Sequence, residues 1–259
     1  MKIKVYFITY RNNTELSKTI KSFEDSGITK YEYEIFIINN SIDFPVEINT
    51  ILNYRVILNE TRPCFSTGHL SRNWNECLID GFKDVNNPNC DIVILSQNDN
   101  YFLPNCIETI IEGHKKYSFI QNGHGDSFHS YAVDSIKKVG LWDERFCNIG
   151  FQEADYFLRQ RLFNPNCSIK DIRHGRIFNG IDKDIVNYSK LTGWDREDIN
   201  HHESAKYHKL SGKIFRMKYD GFNPRDWDGN FPGIHNQQAI LYPYFEDKFA
   251  FNNLNYLEY

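Results

Sequence analysis

The sequence predicts an α/β protein built on a mostly parallel sheet covered by helices, and three observations carry that prediction. Runs of β-branched and aromatic residues of strand length recur through the first hundred residues. Segments with apolar side chains at helical spacing stand between them. Alternation of this kind needs crossover connections, and crossovers make parallel neighbours.

The elements follow in order. "IKVYFITY" (Ile3 to Tyr10) is a strand closed by the polar "RNN". Asn12 and Glu15 have capping-box spacing for a first helix, with Leu16, Ile20 and Phe23 on one face and Gly27 placed to end it. "YEIFIINNS" (Tyr33 to Ser41) and "YRVILN" (Tyr54 to Asn59) are the second and third strands. Leu70, Trp74, Cys77 and Leu78 mark a second helix face. "VILSQNDNYFLP" (Val93 to Pro104) is an apolar strand running into a polar turn, with Pro104 suited to the first turn of the next helix. That helix carries Ile107, Ile110, Ile111 and His114. Beyond about Gly123 short strand-like and helical pieces mix, and "GFQEADYFLRQRLF" is a helix with acid at its start. From about Asp182 the chain is polar and aromatic. We expect one core over residues 1–180, divided into a nucleotide-binding part (about 1–104) and an acceptor side (about 123–180). Residues 181–259 form a less regular extension packed on it.

Composition narrows the function. A formal net charge of −4 lacks the basic footprint of a nucleic-acid binder. The opening "MKIKVYFITYRNN" is too short in apolar residues for a signal core, and nothing later has the length of a membrane span, so the expected location is cytoplasmic. The six cysteines include no C-x-x-C pair, which makes reduced, partly buried thiols the expectation. No phosphate-loop or dinucleotide fingerprint occurs, and "HESAKYH" has Lys206 where a zinc protease needs its second histidine. No G-x-S-x-G elbow occurs either.

Several stretches, taken in order, resemble the family 2 inverting glycosyltransferases of the GT-A fold. "ITYRNNTELSKTIKSF" is similar to the family's first strand and capped helix, and "IINNS" to its Asp-Asn-x-Ser. "LSRNWNECLIDGF" is similar to its Arg-Asn helix start, and "LSQNDNYFLPNCIE" to its metal strand. "GLWDERF" and "FQEADYFLR" complete the series, which covers about residues 3–180.

The resemblance implies a GT-A-type nucleotide-binding sheet with a donor across the carboxyl ends of its strands, where open α/β sheets bind ligands. It implies transfer of a hexosyl or pentosyl group, with inversion, from a nucleotide-diphosphate donor, UDP favoured, to a glycan hydroxyl. Glu153 matches the catalytic base, and Asp99 the retained metal carboxylate, with Gln97 in the place of the motif's first Asp. His174 lies about where the family carries a histidine that completes the metal shell; a lone histidine is more often a surface or core residue. The ion would be Mn²⁺ or Mg²⁺. Nucleotide contacts fall on Thr9, Tyr10, Arg11, Asn39, Arg72, Asn73 and Asn98. Trp142, Asp143 and Asp155 fall on the sugar and acceptor side. Each has a structural alternative: a polar turn for "QNDN", an i,i+4 pair for Asp155 and Arg159, a core ring for Trp142. Lys218, Tyr219 and Gly221 resemble the "KWGG" region of some members. Two other functions stay open, a non-catalytic nucleotide-sugar or glycan binder and a nucleotidyltransferase. Nothing in the sequence speaks to oligomeric state.

Overall fold

A computed structural model describes residues 1–59, 70–146, 150–171, 176–188 and 201–219; for 201–208 it gives the backbone path only. The core is an eight-stranded sheet in the order β3-β2-β1-β4-β7-β6-β8-β9. Its first four members, β1 (Lys2–Thr9), β2 (Glu32–Asn39), β3 (Tyr54–Leu58) and β4 (Ile92–Gln97), are parallel. β6 (Phe119–Gly123) and β8 (Cys167–Asp171) are parallel to each other, while β7 (Phe128–Tyr131) and β9 (Arg176–Phe178) run antiparallel to their neighbours. The mostly parallel sheet flanked by helices is as the sequence predicts.

Both faces of the sheet are buried at its centre, while the edge strand β3 is largely exposed. Tyr6, Ile38 and Leu95 pack on one side against Trp74, Cys77 and Leu78 of α2 (Leu70–Phe82). On the other, Val5, Phe7 and Ile37 meet Leu16, Ile20 and Phe23 of α1 (Asn13–Glu24) and Ile107 and Ile110 of α3 (Cys106–His114). Alternation along each strand splits these sets, because successive side chains point to opposite faces. The first helix starts as its capping spacing requires: Asn12 accepts from the Glu15 amide at 3.0 Å. It stops at Glu24, before Gly27, whose φ of 91° instead serves the turn into a short 3₁₀ segment at Ile28–Lys30.

One boundary differs from the sequence expectation. Pro104 does not open α3; it lies in a turn, Asn105 follows at φ 57°, and the helix begins at Cys106. The cause is tertiary. Asn100–Phe102 form a strand, β5, that pairs antiparallel with β10 (Val186–Tyr188), so the chain must turn before helix can begin. The pairing also ties the chain beyond residue 180 to the first part, and Ile185 and Val186 are fully buried. A second tie is α6 (His201–Lys218), which packs on α5 (Phe151–Phe163) through Phe215 and Tyr219 against Phe146 and Phe151. α4 (Val133–Val139) completes the described elements. Cys77, Cys90, Cys106 and Cys167 are free and buried, and no helix among the described residues is long and apolar enough to cross a membrane.

Two histidines, His129 buried and His114 half-buried, are expected to make the fold acid-sensitive. His114 bonds the Tyr117 carbonyl and Ser130 Oγ, each at 2.9 Å, and burial pushes its pKa down to about 4. Burial among aromatic rings pushes His129 down to about 3. Unfolded, both take a proton near pH 6.5, so the stability they contribute is present above that pH and lost as pH falls toward 4. For His114 the loss is on the order of 3 kcal/mol. The urea midpoint of the wild type is expected to drop across that window, and of His114→Gln to drop less; parallel curves would contradict the assignment.

Candidate active site

The strand order reverses between β1 and β4, and it is in the crevice outside the carboxyl ends at such a switch point that open α/β sheets bind ligands. There Asn98 Nδ2 donates to Thr9 Oγ1 at 3.2 Å, so the two strand ends are latched. Thr19 Oγ1 of α1 donates to the Asn98 carbonyl at 2.8 Å and fixes the turn from behind. Asp99 follows at 3% exposure, and its Oδ1 has no hydrogen-bond partner. Burial pushes its pKa up to about 7, with Asp126 and Glu15 adding like charge. Asn100 Oδ1 and Ser127 Oγ close by are also buried without partners. Orphaned buried acceptors are rare in folded proteins and call for a ligand, ion or water.

Opposite stands the loop 123–127, "GHGDS", between β6 and β7. Gln121 Nε2 holds it by donating to the carbonyls of Gly123 (2.9 Å) and Gly125 (2.8 Å). Gly125 has φ 59°, and a Cβ built on it would lie 2.9 Å from both carboxylate oxygens of Glu153. The Glu153 carboxylate thus lies against bare backbone, on the first turn of α5, at 4% exposure. Gly125→Ala meets strain twice, from the positive φ and from the displaced carboxylate. We expect it to lose about 1 kcal/mol or more of stability and, beyond that, to displace Glu153. A variant with wild-type midpoint and turnover would contradict this packing.

The next residue, Asp126, is a buried hub. It accepts from Gln97 Nε2 of β4 at 3.0 Å, Trp74 Nε1 of α2 at 3.2 Å and Gln152 Nε2 of α5 at 2.7 Å. Ser71 Oγ in turn donates to Gln152 Oε1 at 3.3 Å. None of Asp126, Gln152 and Trp74 is evident as a site residue from the sequence. The available signal is the acid between turn-forming glycine and serine in "GHGDS".

The expected nucleotide side gathers in part. Asn73 at the start of α2 joins Asn40 and Asn59, whose amides meet at 2.9 Å. Asn39 is engaged locally: its Oδ1 accepts from the Ser41 amide at 3.1 Å and its Nδ2 donates to the Phe44 carbonyl at 2.9 Å. Arg11, at φ 48°, donates to Ser41 Oγ and pairs with Asp43, which holds that carboxyl down to about 2; its guanidinium lies 5.6 Å from the Tyr10 ring. Arg72 is half-exposed and 3.6 Å from Glu144.

The structure does not bring Trp142, Asp143 and Asp155 to this crevice. Trp142 is fully buried, stacked on Tyr156 at 4.2 Å, and leaves no ring face open to solvent. Asp143 and Asp155 share Lys218 of α6 at 2.8 and 2.7 Å, and Asp155 also holds Arg159 at 2.9 Å. His174 lies outside the described residues, as does Gly221. Among the described residues no three His, Cys, Asp or Glu side chains converge as a metal cage. Asp99, with its unpartnered buried oxygen, fits a different arrangement: a hard divalent ion held by one carboxylate together with a substrate's phosphates.

Comparison with solved structures bears on the fold. S. aureus TarS, residues 1–349, superposes with a TM-score of 0.51 at 11% identity, over 87% of this chain and 74% of that one. Its complex with UDP-GlcNAc gives 0.51 at 12% identity, over 100% and 76%. The chain has a GT-A-type fold. Drosophila β1,4-galactosyltransferase 7 with manganese, UDP-Gal and xylobiose gives 0.46 at 11% identity, over 76% and 73%. No protein-family model matches the sequence, and no curated protein matches it. In this chain Thr9 ends β1, Asn98 and Asp99 follow the end of β4, and Glu153 lies on the first turn of α5.

Proposed function

We propose that the protein is a glycosyltransferase that moves a sugar from a nucleotide-diphosphate donor, UDP-sugar favoured, to a glycan hydroxyl with inversion. The observation that carries it is the pairing of two buried carboxylates on one GT-A-type frame. Asp99, with an unpartnered oxygen, sits at the switch point, and Glu153 is pressed against the glycine loop on the other side.

The chemistry follows from those positions. The donor lies across the carboxyl ends of β1, β2 and β4, with Thr9, Tyr10, Arg11, Asn39, Arg72, Asn73 and Asn98 as its nucleotide-side candidates. An acceptor hydroxyl attacks the anomeric carbon as the bond from that carbon to the diphosphate oxygen breaks, and Glu153 takes the hydroxyl proton. A carboxylate doing so contributes about 10²- to 10⁴-fold. Asp99, and His174 where it reaches, would hold Mn²⁺ or Mg²⁺, which supplies positive charge against the departing diphosphate. With few protein ligands, the ion binds with the nucleotide and weakly without it. Trp142, Asp143 and Asp155 act in this scheme from below, by fixing α5.

A thermal-shift screen of nucleotide sugars with Mn²⁺, Mg²⁺ or chelator tests the proposal. A donor at 100 times its Kd raises the stability of the folded state by about 2.7 kcal/mol. UDP-sugars are expected to raise the midpoint with metal and far less with chelator. No shift with any nucleotide sugar would sink the reading. The non-catalytic alternative draws support from the single metal-side carboxylate, and it predicts the same shift without transfer.

A further inference from the structure

Position 97 holds an amide where the strand end could have supplied a second acid, and the structure shows what that amide does. Gln97 Nε2 donates to Asp126 Oδ1 at 3.0 Å. An acid at position 97 would set two carboxylates in contact, which a partly buried site strongly disfavours. The amide at 97 and the acid at 126 therefore belong together.

Asp126 also ties three elements together. It is 3% exposed, and N–H groups from three elements converge on it: Gln97 of β4, Trp74 of α2 and Gln152 of α5. A buried carboxylate carries a desolvation penalty, and its negative field is strong in such surroundings. The field here reaches Asp99, and Gln152 is the chain neighbour of Glu153.

We propose that the site's second negative charge sits on Asp126 in the β6–β7 loop and not on β4, and that Asp126 is a positioning residue. It acts through Gln97 on the turn that carries Asp99 and through Gln152 on the helix turn that carries Glu153. The positioning role rests on the glycosyltransferase reading; the charge exchange between positions 97 and 126 does not.

Three variants test it: Asp126→Asn, Gln97→Glu and the double variant. Asp126→Asn is isosteric, keeps the acceptor for Trp74 and Gln152, and lets the Gln97 amide turn over to accept, so these three bonds are kept while the charge goes. Each protein is measured for urea midpoint and for binding of UDP with Mn²⁺ by calorimetry. Asp126→Asn is expected to weaken Mn²⁺-dependent UDP binding about 10- to 100-fold, the usual cost of losing a group behind a metal ligand, with a near-wild-type midpoint. Gln97→Glu is expected to lower the midpoint, and adding Asp126→Asn to restore it and to recover most of the UDP affinity. Additive effects of the two changes on the midpoint would overturn the charge exchange. Equal UDP binding by Asp126→Asn and the wild type would overturn the positioning role. If the wild type binds no UDP with Mn²⁺, the glycosyltransferase reading and the positioning role fall together, while the midpoint cycle still decides the exchange.

Discussion

Glu153→Gln is expected to lower sugar transfer and donor hydrolysis by about 10²- to 10⁴-fold while nucleotide affinity stays unchanged. The amide has the shape of the acid, so it keeps the packing against Gly125 that defines the position of this side chain. What it lacks is the ability to take a proton. Binding depends on the carboxyl ends of β1, β2 and β4, contributed by other elements, so the donor should still seat. Initial rates and calorimetry on the same preparation separate the two effects. An unchanged rate would remove Glu153 from the chemistry, and a collapse of affinity together with rate would recast it as a binding residue.

The largest effect on stability is expected from Lys218→Met. The Lys218 ammonium is 4% exposed and bridges the fully buried carboxylates of Asp143 and Asp155 at 2.8 and 2.7 Å. Arg145 reaches Asp143 from the surface at 2.5 Å, Arg159 holds Asp155 from the interior at 2.9 Å, and Tyr219 donates to Asp155 Oδ1 at 2.8 Å. Burial pulls the Lys218 pKa down, since the desolvated ammonium loses more than its partners return; the cationic partners hold Asp143 below the usual carboxylate range. Removing the ammonium leaves each carboxylate one arginine but takes away a charged hydrogen bond from both, which costs about 1 to 3 kcal/mol, more where the groups are charged. The urea midpoint should fall accordingly. A loss under 1 kcal/mol, as exposed pairs give, would show that α6 is not docked through this cluster. Because Asp155 lies two residues from Glu153 on α5, the same change should disturb turnover more than donor binding.

Much of the frame was legible in the chain. Strand runs such as "KVYFIT" and helix faces such as Leu16, Ile20 and Phe23 are periodic, and periodicity reports which side of an element meets a core. The Asn12 cap was legible because capping is local, three residues wide. Pro104 was misplaced because the β5 to β10 pairing, which forces the extra turn, joins residues more than eighty positions apart. Glu153 and Asp99 stand out by their motifs, and the structure buries both, Asp99 just after β4 and Glu153 against Gly125 of the β6–β7 loop. Asp126 could not be named, since its three donors come from β4, α2 and α5 and leave no spacing to read. Asp143 and Asp155 show the converse. Both read as site acids by motif, yet each is spent on Lys218, a partner more than sixty residues away.

The sequence by itself determined the α/β frame, the order of its first strands and helices, and which two carboxylates to examine. Those properties depend on local propensity and on hydrophobic period, which a linear chain carries openly. Only the tertiary structure decided which acids face the crevice and which are neutralised beneath it. A carboxylate's role depends on the charges and donors within a few ångströms, and in this fold those neighbours arrive from distant elements.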